Sequence, residues 1–130
     1  MSETKIPEHL LYSESHEWIQ QDSDIATIGI TDFAQLELGD IVFLELPEVG
    51  EQIEKGAAFG TVEAVKTVAD LIAPTTGEVL EINESLEAGA EEINKDAYGA
   101  GWMLKIRIED PQDLDYLLNA QDYAELLANH

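Results

Sequence analysis

Between residues 102 and 109 apolar and polar positions alternate. Trp102, Leu104, Ile106 and Ile108 are separated by Met103, Lys105, Arg107 and Glu109. A period of two predicts a strand with one buried and one solvated face, the first set turned inward. Two further runs, 25–30 and 41–46, are dense in Ile, Val, Leu and Phe, and Pro47 stops the second. Between them Thr31 is placed to cap a short helix over 32–38, with Gly39 supplying a left-handed exit. The turn Ala73-Pro74-Thr75-Thr76-Gly77 leads into another strand over 79–82.

Near the carboxyl end the period changes. Asp110 followed by Pro111 is a helix start, after which Leu114, Leu117 and Leu118 recur at helical spacing. Asn119 breaks that stripe and caps a second helix carrying Tyr123, Leu126 and Leu127. The pattern predicts one mainly β domain over 1–130, with short helices packed on it. No low-complexity linker and no long repeat divides the chain.

The segment from Gly60 to Ile72, GTVEAVKTVADLI, supports two readings. Val62, Val65, Ala69 and Ile72 fall at helical spacing, which suits an amphipathic helix. Thr61, Val62, Val65, Thr67, Val68 and Ile72 are β-branched, which favours a pleated hairpin between two turns. The tip would be Ala64-Val65-Lys66-Thr67, without the Gly or Asn of a tight hairpin. In the hairpin reading Lys66 stands exposed at or beside the tip, with Glu63 before it and Asp70 after it.

Charge narrows the chemistry. The chain holds 6 Lys plus Arg against 28 Asp plus Glu, a formal charge of −22. Clustered cations for a phosphate backbone are missing, so nucleic acid is excluded as a partner, and an anionic membrane surface is disfavoured. With no cysteine, disulfides, thiolate nucleophiles and Cys-ligated zinc are excluded too. His9, His16 and His130 are too widely spaced in sequence to suggest a metal site or a nucleophile-base pair. The first residues, Met1 to Pro7, have neither a signal peptide's apolar run nor an Arg-rich transit character. A reducing aqueous compartment is expected, a bacterial cytoplasm, with a mature mitochondrial form as the alternative. Lys66 is then either a solubilising loop residue or the attachment point of a covalent arm on a rigid β support.

Several blocks resemble the glycine cleavage system H-protein family, in order and over nearly the whole chain. They are YSESHEWI from Tyr12, ATIGITDFAQLELGDIVFLELPEVGE from Ala26, GTVEAVKTVADLIAPTTGEVLEIN from Gly60, YGAGWMLKIRI from Tyr98 and LDYLLNAQDYAELL from Leu114. The resemblance implies a lipoyl-domain-like fold, a mainly β barrel-sandwich hybrid. Its lipoyl hairpin would span about 60–83 and its C-terminal helical segment about 111–128. It implies lipoate in amide linkage on Lys66. Glu63 and Gly50 would serve recognition by the lipoylating enzyme, and Ser15, Glu17 and Asp70 would line the cleft for the arm. Taken alone, those five read as a solvated acid, a turn glycine, a loop serine and two surface acids. His16 and Trp18 read as packing residues, and Gly77 fits the turn expected of such hairpins.

Ala64 and Thr67 depart from the serine and alanine frequent in the family, without removing a group that attachment uses. A biotin carrier would have methionines where Val65 and Thr67 stand, and a 2-oxo acid dehydrogenase lipoyl domain usually has Asp at position 65. The implied function is a carrier and not an enzyme, with no catalytic residue and no metal, in glycine catabolism and one-carbon metabolism. It would shuttle the aminomethyl group of glycine from a pyridoxal-phosphate-dependent glycine decarboxylase to a tetrahydrofolate-dependent aminomethyltransferase. Dihydrolipoamide dehydrogenase would reoxidise the arm, and a lipoate ligase or octanoyl/lipoyl transferase would install it. A monomer is expected. Two rival readings stand beside this one: a lipoate-relay protein, and an unmodified acidic β module in which arginine at position 66 does no harm.

Overall fold

The alternating segments pair into two antiparallel sheets. The structure, a computed structural model, describes residues 5–129, so Met1 to Thr4 and His130 of the preceding argument lie outside the described residues. One sheet runs in the order β1 (Leu11–Tyr12), β2 (Glu17–Asp22), β3 (Ile25–Ile30), β9 (Leu104–Ile108), β8 (Gly77–Ile82), β5 (Gln52–Ile53). The other is β4 (Ile41–Glu45), β6 (Ala58–Ala64), β7 (Val68–Ile72). Ile19, Ile28 and Ile106 of the first and Leu44, Val62 and Leu71 of the second share one buried apolar cluster. The sheets do not close into a barrel, and the result is the mainly β, lipoyl-domain-like arrangement that the resemblance implies.

Helix α1 (Asp32–Leu38) has the predicted bounds. Thr31 Oγ1 accepts from Ala34 N at 3.2 Å, which satisfies one of the free N–H groups of the first turn. Gly39 leaves the helix at φ 80°, ψ −155°, an extended conformation open essentially to glycine and not the left-handed turn expected of it. At the carboxyl end Asp110 caps a 3₁₀ helix, Pro111–Tyr116, where a regular helix was expected. Asn119 caps α4 (Ala120–Ala128), accepting from Asp122 N at 2.8 Å. Tyr123 of α4 is fully buried and stacks on Tyr12 with ring centroids 4.6 Å apart. Two four-residue helices, α2 (Ser85–Ala88) and α3 (Glu92–Lys95), have no side-chain cap and were not expected.

Two details of the strands differ from the alternating pattern. Ladder pairing of β9 begins at Leu104, and Met103 just before it is fully buried, not outward. Trp102, expected inward, is only half-buried and carries Lys105 Nζ 5.3 Å above its ring. Outside a pleated ladder the two-residue period no longer dictates the face, so position 103 turns inward to fill the core. Gly77 is the first residue of β8 and not part of the turn before it. A Cβ there would lie 2.3 Å from the Arg107 carbonyl oxygen, so glycine permits β8 and β9 to meet.

Candidate functional site

The segment that sequence left between helix and hairpin forms two strands, β6 and β7, paired through Thr61↔Asp70, Val62↔Ala69 and Glu63↔Val68. Residues 65–67 make the tip. It needs no glycine, because among the described residues only His16 and Ser23 combine a side chain with positive φ. Ala64 N donates to the Thr67 carbonyl at 2.8 Å, and Val65 N to the Asp40 carbonyl at 3.0 Å. The second bond moors the tip to the chain just after α1. A side chain on α3 completes the mooring: Asn94 Nδ2 donates to Gln35 Oε1 and the Gly39 carbonyl, both at 2.9 Å, while Asn94 Oδ1 accepts from Ile41 N at 2.9 Å. Lys66 is exposed on this tip. A Cβ at Gly39 would stand 3.4 Å from Lys66 Cε, so the bare glycine backbone is the bed along which the lysine stem lies.

Beside it opens a cavity of about 250 Å³ between α1, the start of β2 and β7, walled by Phe33, Leu38, Val62 and Leu71 with Ser15 and Glu17 at its polar side. Glu17 is buried, not the surface acid its isolated reading suggests. Its Oε1 accepts from Ser13 Oγ at 2.5 Å and Ser15 Oγ at 2.6 Å, and Oε2 takes a longer bond, 3.4 Å, from Ile72 N. Burial pushes the Glu17 carboxyl above its ordinary range and outweighs the hydrogen bonds that favour its charge.

Of the residues singled out in the sequence, Ser15, Glu17 and Asp70 fall on this one cavity. Asp70 is exposed, and its register with Thr61 places its side chain on the face of β7 opposite Ala69. It therefore reaches the cavity only from the sheet edge. Glu63 is exposed on the outer face, directly across from Phe43 of β4 and Val68 of β7. Gly50 lies apart, in the β4–β5 connection at φ 96°, and its N donates to the Val79 carbonyl of the six-stranded sheet at 2.8 Å.

Three contributors escaped the sequence reading. Ser13 supports Glu17, and a loop serine four residues from an acid gives no signal of that. Asn94 braces the tip across 53 to 59 residues of chain. His16, read as packing, also lines the cavity, and its Nδ1 is 2.9 Å from the Tyr123 hydroxyl, which is 2.7 Å from the Oγ1 of the α1 cap Thr31. The C-terminal helix thus fixes two elements of the cavity wall. Among the described residues no group of three or more His, Cys, Asp or Glu is placed to hold a metal.

Residues 10–130 match the family described as glycine cleavage H-protein. The chain is 56% identical over 124 residues to the glycine cleavage system H protein of Chlorobium limicola, covering 94% of this chain and 97% of that one. It is 52% identical over 122 residues to the H protein of Carboxydothermus hydrogenoformans, covering 94% of each. A crystal structure of a glycine cleavage system H protein from Mycobacterium marinum superposes with a TM-score of 0.89 at 38% identity, covering 95% of this chain and 99% of that one.

Proposed function

The chain belongs to the glycine cleavage H-protein family, and from that premise we propose that it carries lipoate in amide linkage on Lys66 as a one-domain shuttle. The observation that carries the reading is Lys66, alone among the cations, exposed on a moored hairpin tip with its stem over Gly39, next to the α1 end whose Leu38 lines an apolar cavity. The residues present fit the group. A cradle that any Cβ would narrow receives the stem, and Phe33, Leu38, Val62 and Leu71 suit a hydrocarbon arm. Once attached, lipoate supplies a reversible disulfide–dithiol couple able to take up the aminomethyl group of glycine.

The chain's own residues hold, shield and present. Glu17, backed by Ser13 and Ser15, offers a cationic cargo a charge-assisted partner, with Asp70 adding negative charge from the sheet edge. The apolar wall keeps water from the reactive end. Glycine decarboxylase would load the carrier, aminomethyltransferase unload it, and dihydrolipoamide dehydrogenase reoxidise it. A lipoate ligase or octanoyl/lipoyl transferase would recognise Glu63 and Gly50. A monomer in a bacterial cytoplasm is the proposed setting, as the relatives are bacterial; among the described residues no helix is long and apolar enough to cross a membrane.

The test is the intact mass of protein purified from its native cells, followed by sequencing of the Lys66 peptide. An increment of one lipoyl group on Lys66, absent from Lys66→Arg, is expected. Unmodified lysine in cells that lipoylate their other carriers would overturn the proposal.

A further inference from the structure

One wall of the cavity is α1, with Phe33 and Leu38, and a facing wall is the loop entering β2, with Ser15, His16 and Glu17. The two are joined at backbone level where Thr31 N donates to the His16 carbonyl at 3.0 Å. One such bond leaves the angle between the walls free. The Tyr123 hydroxyl supplies a second tie, lying 2.7 Å from Oγ1 of Thr31, the α1 cap, and 2.9 Å from Nδ1 of His16. A phenol donates to one partner while accepting from the other, so both bonds form at once. Tyr123 and Thr31 are fully buried, and burial holds the phenol above the ordinary tyrosine pKa, so the group keeps its proton. His16 is held at φ 72°, uncommon for a residue with a side chain, and its ring leans on Phe33 with centroids 4.8 Å apart. Its position is thereby passed on to the apolar wall.

We infer that Tyr123 is a positioning residue for the sheltered arm: from the C-terminal helix, its hydroxyl fixes the width of the cavity that receives the group carried by Lys66. The inference rests on the proposed lipoate on Lys66, and adds to it a residue that does not itself line the cavity. Without the hydroxyl the ring still stacks on Tyr12, 4.6 Å away and nearly parallel, so α4 stays docked. What is lost is the tie, and the walls part more often to admit water. Water that reaches a carried S–CH2–NH3+ group takes its carbon as formaldehyde, while nitrogen leaves as ammonium and sulfur regains a proton, with no change of oxidation state. The same ring pair contains its own control. Tyr12 also ends in a hydroxyl, which donates to the Pro7 carbonyl at 2.5 Å, and neither residue lines the cavity. Tyr12→Phe therefore removes the same atom from the same stack without touching either wall.

The test compares Tyr123→Phe with Tyr12→Phe in the full-length lipoylated protein. Each is loaded by purified glycine decarboxylase from glycine labelled at its methylene carbon, separated from the enzyme, and followed by release of labelled formaldehyde. Tyr123→Phe should shorten the half-life of the cargo about fivefold, the weight of one buried hydrogen bond, and Tyr12→Phe should leave it within about twofold of wild type. Thr31→Ala, which removes the partner oxygen and leaves Tyr123 in place, should shorten it likewise, whereas Thr31→Ser, which keeps that oxygen, should not. In the unmodified proteins, amide exchange at Thr31 and Ala34 should quicken in Tyr123→Phe and not in Tyr12→Phe. Equal half-lives in the two phenylalanine variants, whether both short or both unchanged, would overturn the inference, since the hydroxyl would then act through overall stability or not at all. A short half-life in Thr31→Ala with a normal one in Tyr123→Phe would overturn it too, and assign the effect to the helix cap. Wild-type protein that takes up no label would remove the lipoate reading and this inference with it. Normal uptake with unaltered loss in Tyr123→Phe would remove this inference alone.

Discussion

Glu17 is a carboxyl group withdrawn from water and served by two serine hydroxyls on one oxygen. Desolvation penalises its charge more than the hydrogen bonds reward it, so its pKa in the fold is raised above the ordinary value of 4.5. A raised folded pKa means that the native state binds the proton more tightly than the unfolded chain does. The corresponding stability is fully present below pH 4.5 and is lost as pH climbs through the raised value. Glu17→Gln cannot titrate, keeps the acceptor for Ser13 and Ser15, and sets an amide N–H against Ile72 N as a pH-independent cost. Urea unfolding of both proteins from pH 4 to 7 should therefore show the wild type losing ground to the variant as pH rises, the other acids cancelling in the comparison. A difference that stays constant, or that turns toward the wild type with rising pH, would mean that Glu17 is not strained by burial.

The hairpin is held at the level of its strands by close backbone approach. A Cβ on Gly60 would lie 2.2 Å from the Glu45 carbonyl oxygen, so β4 and β6 pair there only because that atom is missing. Gly60→Ala should cost about 1–3 kcal/mol in denaturant unfolding, the range for forcing an extra carbon into a packed contact. An unchanged midpoint would show that β4 can shift without loss. The same elements divide what was legible in the sequence from what was not. Strand 25–30 and helix 32–38 were readable because their signals are local: a run of β-branched residues, a threonine cap, a glycine exit. The hairpin was ambiguous because its apolar positions fall at helical spacing while its β-branched residues favour a strand, and the bond that moors its tip, Val65 N to the Asp40 carbonyl, joins residues 25 apart. Asp110-Pro111 marks a helix start but does not separate 3₁₀ from α, since the first turn is the same. α2 and α3 were invisible, being one turn long and uncapped. The site behaved likewise: Lys66 stood out by itself, whereas Ser15, Glu17 and Asp70 were named only through the family resemblance, and the surroundings that bury Glu17 include partners as distant in sequence as Ile72, 55 residues away.

Across the whole molecule most of the few cations contact their own surroundings. Lys95 lies 3.8 Å from Glu92, Arg107 3.9 Å from Glu78, and Lys55 sits 4.0 Å above the Tyr116 ring. The hairpin end keeps Lys66 among Asp40, Glu63 and Asp70, and acylation would remove even that charge, taking −22 to −23. A carrier of this charge meets its enzymes through a long-range field that salt screens over about 8 Å at physiological ionic strength. The field accelerates encounter and selects partners with basic rims, while contributing little once contact is made. In a steady-state assay with the decarboxylase, the apparent KM for this protein should rise roughly tenfold as salt goes from about 0.05 to 0.5 M, with kcat nearly constant. The split matters: a fall in kcat at fixed KM would point to salt acting on the chemistry. A flat KM would show that the acidic surface serves solubility and not the encounter with the decarboxylase.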